Sequence, residues 1–75
     1  PVALRAYGLR FVIYLNDHEP PHVHAIGDGE YKIALSEDAN LIGAFGGTLA
    51  TARKAQLVVR ENLAMLLEKW NEIHG

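Results

Sequence analysis

The spacing of apolar residues near the end of this 75-residue chain constrains its fold more than any other feature. From Thr51 onward, apolar side chains recur at intervals of three and four residues, which places them on one face of an α-helix. They are Ala52, Ala55, Val59, Leu63, Leu66, Trp70 and Ile73. Thr48 or Thr51 is suited to cap the start of this helix, and Gly75 lies just past its end. A chain of this length holds one core, so the helix must cover an apolar face that the preceding residues provide.

The residues before the helix have the composition of β-strands separated by turns. Leu9–Leu15 is rich in β-branched and aromatic residues, and Asn16–Pro21 has the residues of a turn. Further strands are predicted at residues 3–7, 22–26, 30–36 and 41–45. We therefore predict an α+β fold with a single domain over residues 1–75. An antiparallel meander of four or five strands should carry one long C-terminal helix packed on one face.

Alternation along the strands predicts which side chains face the helix, because successive residues of a strand point to opposite sides. Toward the helix we expect Leu9, Phe11, Ile13, Leu15, Val23, Ala25, Tyr31, Ile33 and Leu35, with Trp70 and Leu66 buried against Phe11 or Ile13. The opposite, open face then carries Arg10, Tyr14, His22, His24 and Lys32, with Asp17 and His18 at its rim. Two imidazoles thus project from one side of one short strand, next to a turn made rigid by two prolines.

The three histidines within residues 16–25 support three interpretations. In the first, His22 and His24 share a divalent metal ion such as zinc, and His18 or Asp17 completes three ligands with one position left open. In the second, the three histidines act as catalytic acid and base on a phosphodiester, because imidazole gives or takes a proton near neutral pH. Tyr14 and Lys32 then have supporting roles, with Lys32 or Arg10 holding an anionic oxygen. In the third, the histidines lie on a solvated sheet face and no cofactor is needed.

A second candidate site lies where the strands give way to the helix. Gly43–Thr48 is glycine-rich, and Arg53 and Lys54 follow near the helix start. The free amide groups of a helix N-terminus favour anions, so these two cations could help to bind an anion or an RNA phosphate. The segment has no P-loop motif, because no lysine precedes Thr48. In the alternative interpretation, the segment is a glycine-rich joint between strand and helix, and Arg53 and Lys54 are exposed to solvent.

Composition excludes several classes of protein. The net charge of −2 does not indicate a nucleic-acid-binding protein, although a local basic patch remains open. The chain has no cysteine, no apolar run long enough to span a membrane, and no signal-peptide pattern at its start. We therefore expect a cytoplasmic protein without a membrane partner.

The apolar face of the helix is wider than one sheet contact requires. Leu57, Val58, Met65 and Leu67 lie off the main stripe. Either the helix lies in a groove of a curved sheet, or the surplus apolar residues contact another chain, since large apolar patches mark interfaces. The small core also favours self-association. We expect a homo-oligomer, at least a dimer, or a complex with a small protein partner.

The histidine segment also resembles a known family. The residues Asp17-His18-Glu19-Pro20-Pro21-His22-Val23-His24-Ala25, the strand pair around 31–45, and Leu66–Trp70 with Asn71 and Glu72 are similar to a family of small bacterial proteins described as a domain of unknown function, number 4160. The resemblance covers most of the chain. It implies that His18, Pro20, Pro21, His22 and His24 form the family's signature and that Trp70 anchors the helix. Members are often encoded beside another small protein, and some carry toxin–antitoxin or regulator labels.

Two functions follow from these observations. The first is a partner-binding or regulatory module of a two-gene, toxin–antitoxin-like system, using the wide helix face or the open sheet. The second is a small histidine-dependent hydrolase acting on RNA, with or without assistance from a metal ion. The first is favoured because 75 residues with one helix can hardly enclose a pocket, unless a dimer builds one between chains.

Overall fold

The computed structural model describes residues 1–75 and shows five β-strands followed by two α-helices. The strands are β1 (Val2–Ala6), β2 (Leu9–Val12), β3 (His22–Ile26), β4 (Gly29–Ala34) and β5 (Leu41–Gly46). The helices are α1 (Leu49–Glu61) and α2 (Leu63–His74). All neighbouring strands are antiparallel, and their order in the sheet is their order in the chain. The predicted α+β meander with helices against it is confirmed.

The core lies between the helices and one face of the sheet. Fifteen buried residues form a single cluster, which includes Phe11, Ile13, Leu66 and Trp70. Trp70 is 2% exposed, so the helix anchor expected from the sequence is in the core. Val58 is also buried in this cluster, although it lies off the predicted stripe. The core therefore includes part of the wide apolar helix face.

The helical region is broken where one continuous helix was expected. Asn62 has φ −124° and ψ 23°, outside the helical region, and separates α1 from α2. Its side-chain amide donates to the carbonyl of Val58 at 2.8 Å, and its backbone N–H is shared between the carbonyls of Val58 and Val59. Asparagine side chains form hydrogen bonds to nearby backbone carbonyls, and these bonds compete with the regular hydrogen bonds of a helix. Neither helix has the length and apolar character needed to cross a bilayer.

The first long strand ends earlier than predicted, and Leu15 is not in the core. The backbone N–H of Tyr14 donates to Asp17 Oδ2 at 2.9 Å, and the N–H of Asp17 donates to the Tyr14 carbonyl at 3.1 Å. These reciprocal bonds close a turn directly after Ile13, which remains buried. Leu15 lies in the turn and is 75% exposed, so its predicted place in the core was wrong.

The start of α1 is organised around the hydroxyl group of Tyr31. This hydroxyl accepts a hydrogen bond from the N–H of Thr48 at 2.9 Å and donates to Asp28 at 3.2 Å. Thr48 is the N-cap, because its side-chain oxygen accepts from the N–H of Thr51. Gly47 has φ +75°, and a Cβ atom there would overlap the Tyr31 hydroxyl. Only glycine fits this joint without displacing a core side chain.

Candidate functional site

The alternation of β3 and the turn after β2 bring three side chains together. His22 and His24 lie on the same face of β3, opposite Ala34 and Lys32 of β4. The hydrogen bonds between Tyr14 and Asp17 fold the chain back after β2, and this places the Asp17 carboxylate beside both imidazoles. Strand pairing and one short turn are therefore enough to assemble the cluster.

The three side chains converge on one carboxylate oxygen. Asp17 Oδ1 lies 3.1 Å from His24 Nε2 and 3.4 Å from His22 Nε2. One ligand atom from each residue lies within 4.8 Å of the other two. His22 is only 3% exposed, and the other two side chains are mostly covered. Water therefore screens the interactions within this cluster only weakly.

The outer nitrogens of both imidazoles are held by acceptors. His22 Nδ1 lies 2.8 Å from the carbonyl oxygen of Pro20, and His24 Nδ1 lies 3.1 Å from Glu30 Oε2. A carbonyl oxygen only accepts, so His22 Nδ1 carries the hydrogen and donates to Pro20. His24 lies 3.1 Å from a carboxylate oxygen on each side, so a neutral ring donates to only one of them and a protonated ring donates to both. When Nδ1 donates in both rings, each neutral imidazole turns its Nε2 lone pair toward Asp17, which only accepts, and the contact is attractive only with a proton or a cation between the two atoms.

Asp17 is ionised at neutral pH. Burial raises the pKa of its carboxyl group, but the N–H of Tyr14, the hydrogen bond from His24 and the charges of His24 and His22 together lower it. The lowering interactions prevail, and the pKa lies below its ordinary value of 3.8. The centre of the cluster is therefore an anionic oxygen flanked by two imidazole nitrogens, a donor set that suits a divalent metal ion.

Aromatic rings connect this cluster to the core. The His24 ring centroid lies 4.9 Å from that of Tyr14, and the His22 centroid lies 5.4 Å from that of Trp70. Trp70 also contacts His74, with 4.0 Å between centroids, and its indole N–H donates to Glu19 Oε2 at 3.4 Å. The packing of α2 thus restrains both the His22 ring and the turn that carries Asp17.

An open cavity of about 240 Å³ adjoins the cluster. It is lined mainly by polar residues, namely Asn16, Asp17, His18, Glu19, Pro20, His22, Lys32 and Ile42, although much of the lining surface is apolar. Four residues that the sequence singled out, Asp17, His18, His22 and Lys32, therefore line the cavity. His18 is exposed and is not among the three converging ligands.

The other predicted anion site lies elsewhere. Arg53 and Lys54 are exposed on α1, and neither lines the cavity. The Lys54 ammonium group lies 5.7 Å from the centroid of the Tyr7 ring, a cation–π contact. At the start of α1, the backbone N–H of Thr51 already donates a hydrogen bond to the side-chain oxygen of Thr48.

Sequence reasoning missed two contributors to the site. Glu30 holds His24, and the carbonyl of Pro20 orients His22. The signal for Glu30 was present in the strand pattern, because it lies two residues before Lys32 and so on the same face of β4. No side-chain pattern could reveal the Pro20 carbonyl, because it is a backbone group.

Comparison with known proteins places the chain in one sequence family. The sequence model described as Domain of unknown function (DUF4160) matches residues 8–71, which is most of the chain. The chain belongs to this family. The matched range of this DUF4160 protein includes Asp17, His22, His24, Glu30 and Trp70, so the whole cluster and its core contact lie within the family domain. The chain matches no curated protein and no solved structure.

Proposed function

We propose that this DUF4160 protein binds a divalent metal ion of the zinc class through Asp17, His22 and His24, and uses it in hydrolysis. One observation carries the proposal. Two imidazole nitrogens face an ionised carboxylate oxygen, while the opposite nitrogen of each ring is bonded to an acceptor. Histidine ligands of metals are typically held in this way, with the second ring nitrogen donating to a carbonyl or carboxylate.

The same geometry argues against metal-free acid–base catalysis by these histidines. A general base needs a ring nitrogen within hydrogen-bond reach of its substrate. In His22 and His24, Nδ1 is bonded to Pro20 or Glu30 and Nε2 faces the Asp17 carboxylate, so neither ring presents a free nitrogen to a substrate. Of the two hydrolytic mechanisms that the sequence left open, the metal-assisted one is therefore better supported.

Three protein ligands leave room for a reaction at the metal. Catalytic zinc sites keep one position for water and lower its pKa toward neutrality. The cavity beside Asp17 and His22 supplies space for a substrate at that position. Glu30 holds His24, and Pro20 holds His22, so neither ring needs to reorient when an ion binds.

Zinc titration by calorimetry tests the metal site. Wild-type protein should bind one equivalent, and Asp17→Asn and His24→Ala should each lose at least about tenfold in affinity, as expected for loss of part of the coordination shell. His18→Ala is the matched control, because it removes a histidine of the same turn that is not a ligand. Circular dichroism confirms that each variant is folded. Failure of the wild type to bind zinc, or an equal loss in His18→Ala, contradicts the proposal.

A second candidate function, the partner-binding module, rests on the free edge of the sheet. Strand β5 is an outer strand, and Leu41, Ile42 and Phe45 are exposed on it, Phe45 at 85%. No charged residue occurs between Ala39 and Ala52. Natural proteins usually protect exposed edges with charges or prolines, so an uncharged apolar edge indicates a covered one.

We propose that a second copy of the chain covers this edge. Two identical uncharged strands can pair antiparallel about a two-fold axis, which is the commonest symmetry of homo-oligomers. A cytoplasmic regulatory role in a two-gene system would use the same edge for a different small protein. Sedimentation velocity at micromolar concentration should show a wild-type dimer and a Phe45→Asp monomer. Leu15→Asp, a matched change at an exposed leucine away from β5, should leave the dimer intact. A wild-type monomer contradicts self-association.

A further inference from the structure

Lys32 is a half-buried cation that lines the cavity without an anionic partner. No carboxylate lies within ion-pair distance of its ammonium group, and its side chain makes no hydrogen bond to protein. Lysine side chains commonly bury their aliphatic stem and keep the ammonium group accessible. The unpaired ammonium group of Lys32 is therefore available to a ligand of opposite charge that enters the cavity.

The pairing of β4 with the outer strand β5 leaves Lys32 uncovered. Lys32 lies opposite Gly43 of β5, which has no side chain to cover it. The register shifts at the next residue, since Ile33 lies opposite Leu41 and leaves Ile42 unpaired as a bulge. Ile42 contributes to the apolar part of the cavity wall. Bulges often redirect side chains beside functional sites, and here the bulge and the glycine open the cavity toward Lys32.

The nearby carboxylates are engaged elsewhere. Glu19 accepts the indole N–H of Trp70, and Glu30 accepts from His24. Asp17 bears one negative charge, and a divalent ion at the cluster more than neutralises it. With the ion bound, the cavity would present two cationic centres, the metal and the Lys32 ammonium group, beside the Glu19 carboxylate, which stays anionic when it accepts from the neutral indole of Trp70.

We propose that the cavity binds a phosphoryl group, with one oxygen toward the metal and another on Lys32; this rests on the metal site proposed above. A phosphoryl group carries several anionic oxygens on one centre, and lysine binds phosphate as a point charge. The volume of about 240 Å³ corresponds to roughly eight water molecules at about 30 Å³ each, enough for a phosphoryl group and part of the organic group it carries. Lys32 is thus a specificity residue for the ligand.

The test separates this inference from the metal site. Zinc-loaded protein, freed of excess metal by desalting, is titrated with inorganic phosphate and, in a second arm, with a short single-stranded RNA. Lys32→Gln should keep zinc affinity within about twofold but lose about tenfold or more in phosphate affinity, the usual scale for one hydrogen bond between charged groups. Lys69→Gln is the matched control, since Lys69 is an exposed lysine that already pairs with Glu72.

Each outcome has a distinct meaning. Phosphate binding that depends on Lys32 supports the inference, and tighter binding of the RNA with the same dependence assigns the phosphoryl group to a nucleic acid. Zinc binding without phosphate binding overturns this inference and leaves the metal site standing. Equal phosphate affinity in wild type and Lys32→Gln also overturns it. Absence of zinc binding overturns both proposals.

Discussion

Replacing Trp70 with alanine should remove a large part of the stability of this domain. The side chain is 2% exposed and belongs to the core cluster. Burying an aromatic side chain covers about 150–250 Å², which at about 25 cal/mol per Å² is worth roughly 4–6 kcal/mol. Truncations of buried tryptophan usually cost about 3–5 kcal/mol, because the cavity relaxes only in part. We expect a loss in this range for Trp70→Ala.

That loss is large compared with the whole free energy of unfolding. Folded domains gain about 0.05–0.15 kcal/mol per residue, so a 75-residue chain is stable by roughly 4–11 kcal/mol. Urea unfolding followed by circular dichroism measures the change. Trp70→Phe keeps an aromatic ring in the core but removes the indole N–H that donates to Glu19, so it should cost less than half as much. A loss below about 1 kcal/mol for Trp70→Ala would refute the packing argument, since it would place Trp70 outside the core.

Three further changes test separate parts of the structure. Gly47→Ala should destabilise the fold by at least about 1 kcal/mol, because alanine at φ +75° is strained and its Cβ atom overlaps the Tyr31 hydroxyl. Urea unfolding measures this loss, and an unchanged unfolding midpoint would contradict the predicted overlap. Leu15→Ser should change stability by less than about 0.5 kcal/mol, whereas a core position would show several times more. The pKa of Asp17 is lowered on folding, so its carboxylate stabilises the fold above its ordinary pKa of 3.8, and this contribution disappears as the pH falls through the folded-state value. With a chelator present, the stability difference between wild type and Asp17→Asn should therefore be present at neutral pH and shrink below pH 3.8; a difference that persists in acid would contradict this origin.

The spacing of apolar residues predicted those features of the fold that depend on a single helix or strand. The helical stripe identified Leu66 and Trp70 as core residues, and strand alternation placed Phe11 and Ile13 with them. These patterns succeed because burial imposes one period on each helix or strand. Alternation failed at Leu15 because it assumes that the strand continues, whereas hydrogen bonds between Tyr14 and Asp17 end it.

The candidate site was only partly predictable, because its geometry depends on a turn as well as on the strand pattern. Spacing of i and i+2 correctly indicated that His22 and His24 share a face. The choice between Asp17 and His18 as their neighbour depends on how the turn folds back, which the residue types do not specify. The contact between the His22 and Trp70 rings joins residues that are far apart in the sequence, and a single sequence contains no signal for such a contact.

The hydrogen bond between Trp70 and Glu19 spans 51 residues of sequence, and this has a consequence for the order of events during synthesis. Asp17, His22 and His24 leave the ribosome before α2 does, and α2 carries the indole ring that contacts His22. Until then the imidazoles lie on an incomplete sheet open to water. If the proposed metal site exists, folding and metal binding share one free energy, and a nascent chain without α2 would bind an ion more weakly than the folded domain. The site would then reach its full affinity only after α2 has been synthesised and has packed on the sheet.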